Sequence, residues 1–438
     1  MLQIGRKRLY DVVVVGAGIS GCIVSYLLAK KGFKVCLIDV KRAEDVGDKV
    51  CGDALIGRGL DLLGFEPPSD AIMNVASALR FHASGMAPIT LKTRVFLLDR
   101  LRFGQYFLHK AIDNGSIFVD KCRAFAPILK GDKIIGIKAR IDNSQVELFA
   151  KVTIDASGIN CAIRRNLPKD WWVSKPIGRN NLALCYREIR KLKESKVNTE
   201  YCDVFYDRKV VPKGYYWIFP KLDDLVNVGL GARMTTINYD LKEGLYKHIL
   251  TNPIFNESEI LASGFGMLPI SPPLSCSTAS GFIAIGDAAK QVNPFIGEGI
   301  RPSIISAYIA AETITKSKDF DQDHLWSYNV DFMKKLGIRH AMFAAFGSFF
   351  ERLNYEEIKP LLSVYEGGTY KFGDFEDFNI GLLLTLKAFL KGFKQLKSIQ
   401  KETSIIKSVL SIYKDYPDSP KTFLEWMHKA ERFWKDYS

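Results

Sequence analysis

The chain has 438 residues, of which 47% are hydrophobic and 25% charged. That is too long for one small core, so two domains or a core with long insertions is expected, and the ordinary composition excludes a fibrous or disordered class. A formal charge of +13 favours an anionic partner: nucleic acid, a phosphorylated substrate or an acidic membrane surface. Without zinc-ligand spacing or an RNP-like signature, no nucleic acid is expected.

In chain order, residues 11–39, DVVVVGAGISGCIVSYLLAKKGFKVCLID, read as strand, glycine turn, helix, turn and second strand in one βαβ unit. Gly16 lets the chain turn, Gly18 lets a pyrophosphate approach the backbone, and Gly21 lets the helix pack closely on the strand. Free N–H groups and the macrodipole at the helix start favour phosphate. Asp39 ends the second strand, where a carboxylate can hydrogen-bond a ribose hydroxyl. The alternative is a glycine-rich turn with no ligand. The apolar run before Gly16 is too short for a signal peptide, and no uninterrupted apolar stretch reaches the roughly 18 residues of a spanning helix. Eight cysteines without a C-x-x-C argue for no metal cluster and for a reducing cytoplasm.

Further segments choose between FAD and NAD. FLLDRLRFGQYFLHKA (96–111) and VTIDASGINCAIRR (152–165) precede FIAIGDAAKQVNPFIGEGIRPSIISAYIAAETI (282–314), which sets Asp287 after an apolar strand and Gly297-Glu298-Gly299 before a helix. A carboxylate there can hold a ribityl hydroxyl, and amides at the new helix start can face a flavin pyrimidine edge. Together these segments resemble the flavoprotein superfamily of the p-hydroxybenzoate hydroxylase type. The resemblance implies FAD in a discontinuous Rossmann-like domain, with Arg100 near the phosphates and Ala124 beside the adenine. Taken singly, Arg100 reads equally as a surface ion pair and Asp155 as a helix cap.

Two stretches narrow the family. Lys49-Val50-Cys51-Gly52, within GDKVCGDAL (47–55), is similar to the K-x-C-G element of geranylgeranyl reductases. Tyr215-x-Trp217-x-Phe219-Pro220 followed by Gly229-x-Gly231 is similar to that family's Y-x-W-x-F-P and G-x-G signature. The resemblance spans roughly residues 10–310 and is greatest toward archaeal enzymes that saturate the geranylgeranyl chains of ether lipids. Where relatives often carry glycine, this chain has Ala54 after Asp53, which would slightly alter the loop's approach to the flavin.

The resemblance implies cofactor contacts at Gly16, Ala17, Gly18, Gly21, Asp39, Cys51, Gly52, Ala54, Arg100, Ala124, Asp287, Gly299 and Ile300. It also implies Cys51 over the flavin, relaying a proton or shaping the site; otherwise Cys51 is a small buried hydrophobe. Tyr215, Trp217 and Phe219, two apart, share one face of a strand. Trp217 first and Tyr215 second are expected to stabilise cationic character on a protonated alkene. Gly229 and Gly231, on the hairpin partner opposite, would leave empty space beside the rings; the alternative is ordinary core packing.

Beyond about residue 325 helical spacing takes over. Residues 382–414 carry seven lysines (387, 391, 394, 397, 401, 407 and 414) and one acid, Glu402, among apolar residues. Either a basic amphipathic helix lies on anionic lipid or an ordinary packed helix shows a solvated face. The loop YEGGTYKFGDF (365–375) offers Lys371 to a substrate phosphate, with Arg339 as an equal candidate.

The expected architecture is mixed α/β and α+β. Residues 1–75, 96–170 and 271–325 would form the Rossmann-like FAD domain, 76–95 and 171–270 an antiparallel-sheet substrate domain, and 326–438 a helical C-terminal domain. The expected activity is FAD-dependent saturation of geranylgeranyl chains on archaeal-type ether lipid precursors. The substrate would be a prenylated lipid or prenyl diphosphate, the electron donor ferredoxin or NAD(P)H, and the location cytoplasmic, peripheral on the inner face of the cell membrane. The alternatives are a flavin-dependent monooxygenase of the same fold and a non-catalytic flavin-containing lipid-binding protein.

Overall fold

The computed structural model describes residues 8–57, 60–64, 66–142, 144–194, 197–363, 365–372 and 396–437. Along the chain, β1 (Arg8–Val15), α1 (Ile19–Lys30) and β2 (Val35–Ile38) lead to β3 (Ala54–Ile56), β4 (Ile72–Ala83) and β5 (Ile89–Leu98). After α2 (Arg100–Asp113) come β6 (Ile117–Val119), β7 (Cys122–Lys130), β8 (Lys133–Ile141) and β9 (Ser144–Asp155). A second run of strands comprises β10 (Leu182–Lys191), β11 (Tyr201–Tyr206), β12 (Gly214–Pro220) and β13 (Leu225–Arg233), then, past the short α3 (Leu241–Gly244), β14 (Glu259–Pro269). The chain returns through β15 (Thr278–Ala279) and β16 (Phe282–Ala284) to α4 (Ile300–Lys316), α5 (Gln322–Phe332), α6 (Ile338–Arg352) and α7 (Tyr355–Ser363). Last come β17 (Thr369–Lys371), α8 (Leu396–Lys414) and α9 (Phe423–Tyr437).

The first sheet runs β15-β16-β9-β1-β2-β6, with β7 and β8 branching antiparallel from β9. Its centre is parallel: β1 pairs with β2 through Val12↔Val35 and with β9 through Val15↔Asp155. Val12 and Val14 face α1, α2 and α4, whereas Val13 and Val15 face the β7–β8 side, so the four valines are buried on both faces. An unbroken apolar run is what a doubly covered parallel strand requires.

The second sheet runs β14-β10-β13-β12-β11-β4-β5-β17, with β3 on β5. It is mostly antiparallel, but β11 pairs parallel with β4 and β17 parallel with β5. The chain crosses into this sheet already at Ala54–Ile56, earlier than the boundary expected at residue 75. In the helical C-terminal part, α5, α6, α8 and α9 share a core built around Trp326, Phe423 and Trp426.

Candidate functional site

A cavity of about 910 Å³ is lined by both sheets, by the loop of residues 46–54 and by C-terminal helices. At the first-sheet end the glycines have distinct duties. Gly16 adopts φ +104°, and a Cβ on it would lie 2.5 Å from the Ala156 carbonyl oxygen; a Cβ on Gly21 would lie 1.8 Å from that of Gly16. Gly18 has nothing within 4 Å in that direction, so its backbone is bare toward the cavity. Helix α1 starts there with no side-chain cap, leaving N–H groups for an anion. The Asp39 carboxylate accepts from the Ala17 N–H at 2.6 Å and the Lys41 N–H at 2.8 Å, closing the β2 end onto the glycine turn.

Arg100, first residue of α2, lines the cavity, is 9% exposed, and its Nε has no hydrogen-bond partner among the described residues, so the surface ion pair reading fails. Asp155 instead folds its own loop, accepting from the N–H groups of Ser157, Ile163 and Arg164. Ala124 on β7 lines the same end. Asp287 pairs with Lys49 at 3.0 Å, tying the 282–300 segment to the loop of Cys51. Gly299 begins α4 without a side-chain cap, and with Ile300 it faces the cavity. Bare backbone at Gly18, two uncapped helix starts and the unpartnered buried Nε of Arg100 together fit a dinucleotide such as FAD.

The opposite wall is β14-β10-β13-β12. Tyr215 pairs with Gly231 and Trp217 with Gly229, and Tyr215, Trp217 and Phe219 all line the cavity. The expected void beside the rings is not over the glycines. A Cβ on Gly229 would lie 2.4 Å from Trp217 Cζ2, and one on Gly231 2.5 Å from Cys185 Sγ, so these glycines accommodate neighbouring side chains. On β14 a Cβ on Gly264 would lie 2.6 Å from Val50 Cγ2, and Gly266 faces the same side chain at ordinary contact distance. The Val50-Cys51-Gly52 loop thus lies on a floor made by Gly264 and Gly266, with Gly52 against Phe219 and the indole nitrogen of Trp217.

A buried polar network fastens loop to floor. Trp217 Nε1–H donates to Asn227 Oδ1 at 2.9 Å, and Asn227 Nδ2 donates to the Cys51 carbonyl at 2.8 Å and to Asp53 Oδ2 at 2.9 Å. Lys221 donates to the same Asp53 oxygen at 2.7 Å, both side chains being buried. Asp53 sits at φ +62°, a left-handed conformation that aspartate tolerates better than most residues. Ala54 starts β3 opposite Leu97 in ordinary extended geometry, so the absent glycine produces no strain there. Tyr215 donates its hydroxyl to the Ile296 carbonyl at 2.6 Å. Burial raises the Tyr215 phenol and pushes the Cys185 thiol up to about 12, so both stay protonated at neutral pH.

Beyond these rings the cavity continues as an apolar channel between Leu79, Phe81, Ile89 and Leu91 of β4–β5 and Phe346 and Phe350 of α6. Lys371 does not reach it: residues 365–371 of the expected loop are a turn followed by β17, whose Lys371 is exposed and does not line the cavity, while 373–375 lie outside the described residues. Arg339 on α6 does not line it either. In α8, Lys401, Lys407 and Lys414 are exposed while Ile406, Val409 and Ile412 are buried, and Val409 and Ile412 belong to the C-terminal core. The described part of the lysine-rich segment is therefore a packed helix with a solvated face, while Lys387, Lys391 and Lys394 lie outside the described residues.

Sequence reasoning missed Asn227, Asp53 and Lys221, whose roles depend on long-range pairing, and the channel-lining phenylalanines of α6. The only available signal was the odd concentration of Phe at 343, 346, 349 and 350, at helical spacing.

Fold and cavity define a two-sheet scaffold with a Rossmann-like, dinucleotide-binding end. Residues 14–47 match the family model of an NAD(P)-binding Rossmann-like domain, and residues 181–268 that of a geranylgeranyl reductase catalytic domain. Digeranylgeranylglycerophospholipid reductase from Sulfolobus acidocaldarius is 27% identical over 99% of both chains; that from Thermoplasma volcanium is 30% identical over 73% of this chain and 82% of its own. Among solved structures, a geranylgeranyl bacteriochlorophyll reductase-like protein from Thermoplasma acidophilum superposes with a TM-score of 0.81 at 23% identity, covering 90% of this chain and 100% of that one. The flavin-dependent brominase Bmp2 shares the fold at a TM-score of 0.66 and 16% identity, covering 97% of this chain and all of its own. The chain belongs to the digeranylgeranylglycerophospholipid reductase family.

Proposed function

We propose that this protein saturates carbon–carbon double bonds in the geranylgeranyl chains of an archaeal-type ether lipid precursor. The observation that carries this reading is the continuity of one cavity from the bare backbone at Gly18 to the apolar channel past Trp217. Gly16, Ala17, Gly18, Asp39, Arg100, Ala124, Asp287, Gly299 and Ile300 would hold FAD, and the loop of Cys51 and Gly52 would cover it. Reduced FAD, when bound, supplies hydride equivalents, with ferredoxin or NAD(P)H as the donor that recharges it.

The remaining work falls to the chain's own residues. A wall of aliphatic and aromatic side chains takes up hydrocarbon, and each buried CH₂ contributes about 0.8 kcal/mol, so a twenty-carbon chain needs few polar contacts for affinity. An isolated alkene has no carbonyl to polarise, so a proton must add as hydride arrives. The tertiary cationic character that builds up is stabilised by the faces of Trp217 and Tyr215, by about 0.5–2 kcal/mol each when desolvated. Asn227 fixes the plane of the Trp217 indole and the Cys51 carbonyl at once, so ring and loop keep one relative position. Peripheral docking on an anionic membrane accords with the charge of +13.

Anaerobic incubation of chemically reduced, FAD-loaded protein with geranylgeranyl ether lipids, read by mass spectrometry, tests the reading. Products that gain two hydrogens per double bond without oxygen are expected. Strict oxygen dependence with hydroxylated product, or binding with no flavin reoxidation, would overturn it.

A further inference from the structure

Arg187 lies on β10, opposite Gly229 of β13 and Gly264 of β14, on the face that carries Trp217. It lines the cavity and is 8% exposed, yet its Nε and Nη1 are buried with no hydrogen-bond partner among the described residues. Other ionisable side chains on the second-sheet side of the cavity have partners among the described residues. Asp53 has Lys221, His82 has Asp203, and Glu402 has Arg352 and the Tyr437 hydroxyl. The acid adjacent in sequence, Glu188, is engaged with Arg190 and Tyr186.

A guanidinium stays charged at any physiological pH. Buried without a counter-charge it is strongly unfavourable, and buried polar groups in folded proteins almost always have partners. The missing partner is therefore an anion carried by a ligand. Dinucleotide phosphates belong at the first-sheet end, with Gly18 and Arg100. Arg187 stands instead on the second sheet, one glycine away from the indole, among walls suited to hydrocarbon. Its planar fork of N–H donors matches two oxygens of a phosphate.

We propose that Arg187 is the phosphate-binding residue of the prenyl substrate, the role for which Lys371 is misplaced. The proposal rests on the prenyl reductase reading and adds the head-group chemistry to it. A phosphate ester at Arg187 anchors the head of a hydrocarbon chain and sets which of its double bonds lies beside Trp217. That phosphate comes either from a glycerophosphate head group or from a free prenyl phosphate.

The test is calorimetry on FAD-loaded protein with saturated ligands, which bind without turning over. Phytanyl phosphate is compared with phytanol, and diphytanylglycerol phosphate with diphytanylglycerol. Charge-assisted hydrogen bonds predict that the wild-type preference for phosphate over the matched alcohol shrinks about 10- to 100-fold in Arg187→Met, with partial recovery in Arg187→Lys. Whichever ligand pair shows the larger loss identifies the source of the phosphate. Because the variant removes an unmatched buried charge, its ligand-free thermal midpoint is expected to stay level or rise.

An unchanged phosphate preference in Arg187→Met, or a loss of FAD occupancy in its place, overturns the anion site while leaving the reductase reading intact. If wild-type protein binds none of the four ligands and saturates no prenyl chain, the reading itself falls and takes this site with it.

Discussion

At Gly229 a single hydrogen atom decides where an indole lies. The Trp217 ring occupies the volume a side chain would need, so Gly229→Ala forces the ring or the strand to shift. Overpacking of this kind costs about 1–3 kcal/mol. The variant is expected to lose stability in that range and to slow alkene reduction more than it weakens FAD retention, measured as flavin absorbance after gel filtration against turnover. Asp53 sets a second test. Breaking a buried ion pair by removing one partner is destabilising by about 3–5 kcal/mol, whereas replacing both is far milder. Asp53→Asn should therefore lower the free energy of denaturant unfolding strongly, and adding Lys221→Met should recover most of the loss; equal unfolding of wild type and Asp53→Asn would show that the pair does not hold the loop. The sequence displayed Trp217 and Gly229 plainly, because an aromatic run closed by glycines is rare on a strand. It concealed their relation, since only the β12–β13 register shows that the glycine receives the ring and leaves no gap beside it.

Among the elements, the βαβ unit was legible because glycine spacing and unbroken valines are local signals. The lysine-rich helix was not: its exposed lysines and buried Ile406, Val409 and Ile412 fit a membrane face and a packed face equally until the partners α6 and α9 are present. The short β17 was also hidden, since three residues acquire strand character only from pairing with β5. Helix α6 carries a titration that can be measured. His340 is 2% exposed, packs edge-on to Phe332, and its Nδ1 has no partner among the described residues. Burial, with the cations of Arg301 and Arg339 nearby, lowers its pKa from 6.5 to about 3. Above pH 6.5 folded and unfolded chains both hold it neutral; between 6.5 and about 3 only the unfolded chain takes the proton, so stability falls as the pH drops through that window. His340→Met removes the proton acceptor, and its unfolding free energy should depend less steeply on pH between 6 and 4 than that of wild type. Parallel pH curves would show that His340 does not contribute.

On the scale of the whole molecule, two sheets of different construction share one cavity. The parallel sheet offers bare backbone and helix starts for phosphates, and the mostly antiparallel sheet offers an aromatic wall and a glycine floor. The Cys51 loop bridges them, held to one side by Lys49–Asp287 and to the other by Asn227 and Lys221–Asp53. The Rossmann-like βαβ unit at the nucleotide end could be read in the sequence, where spacing is local. The channel could not, because its walls come from β4, β5, α6 and α7, which are distant in the chain. The measurement that bears most directly on the central claim is a crystal structure of the FAD-loaded protein with a diphytanyl lipid bound. The account predicts hydrocarbon density running from the Trp217 and Tyr215 rings between Leu91 and Phe350. A flavin-filled site with this channel closed by side chains, and lipid density elsewhere or absent, would contradict it.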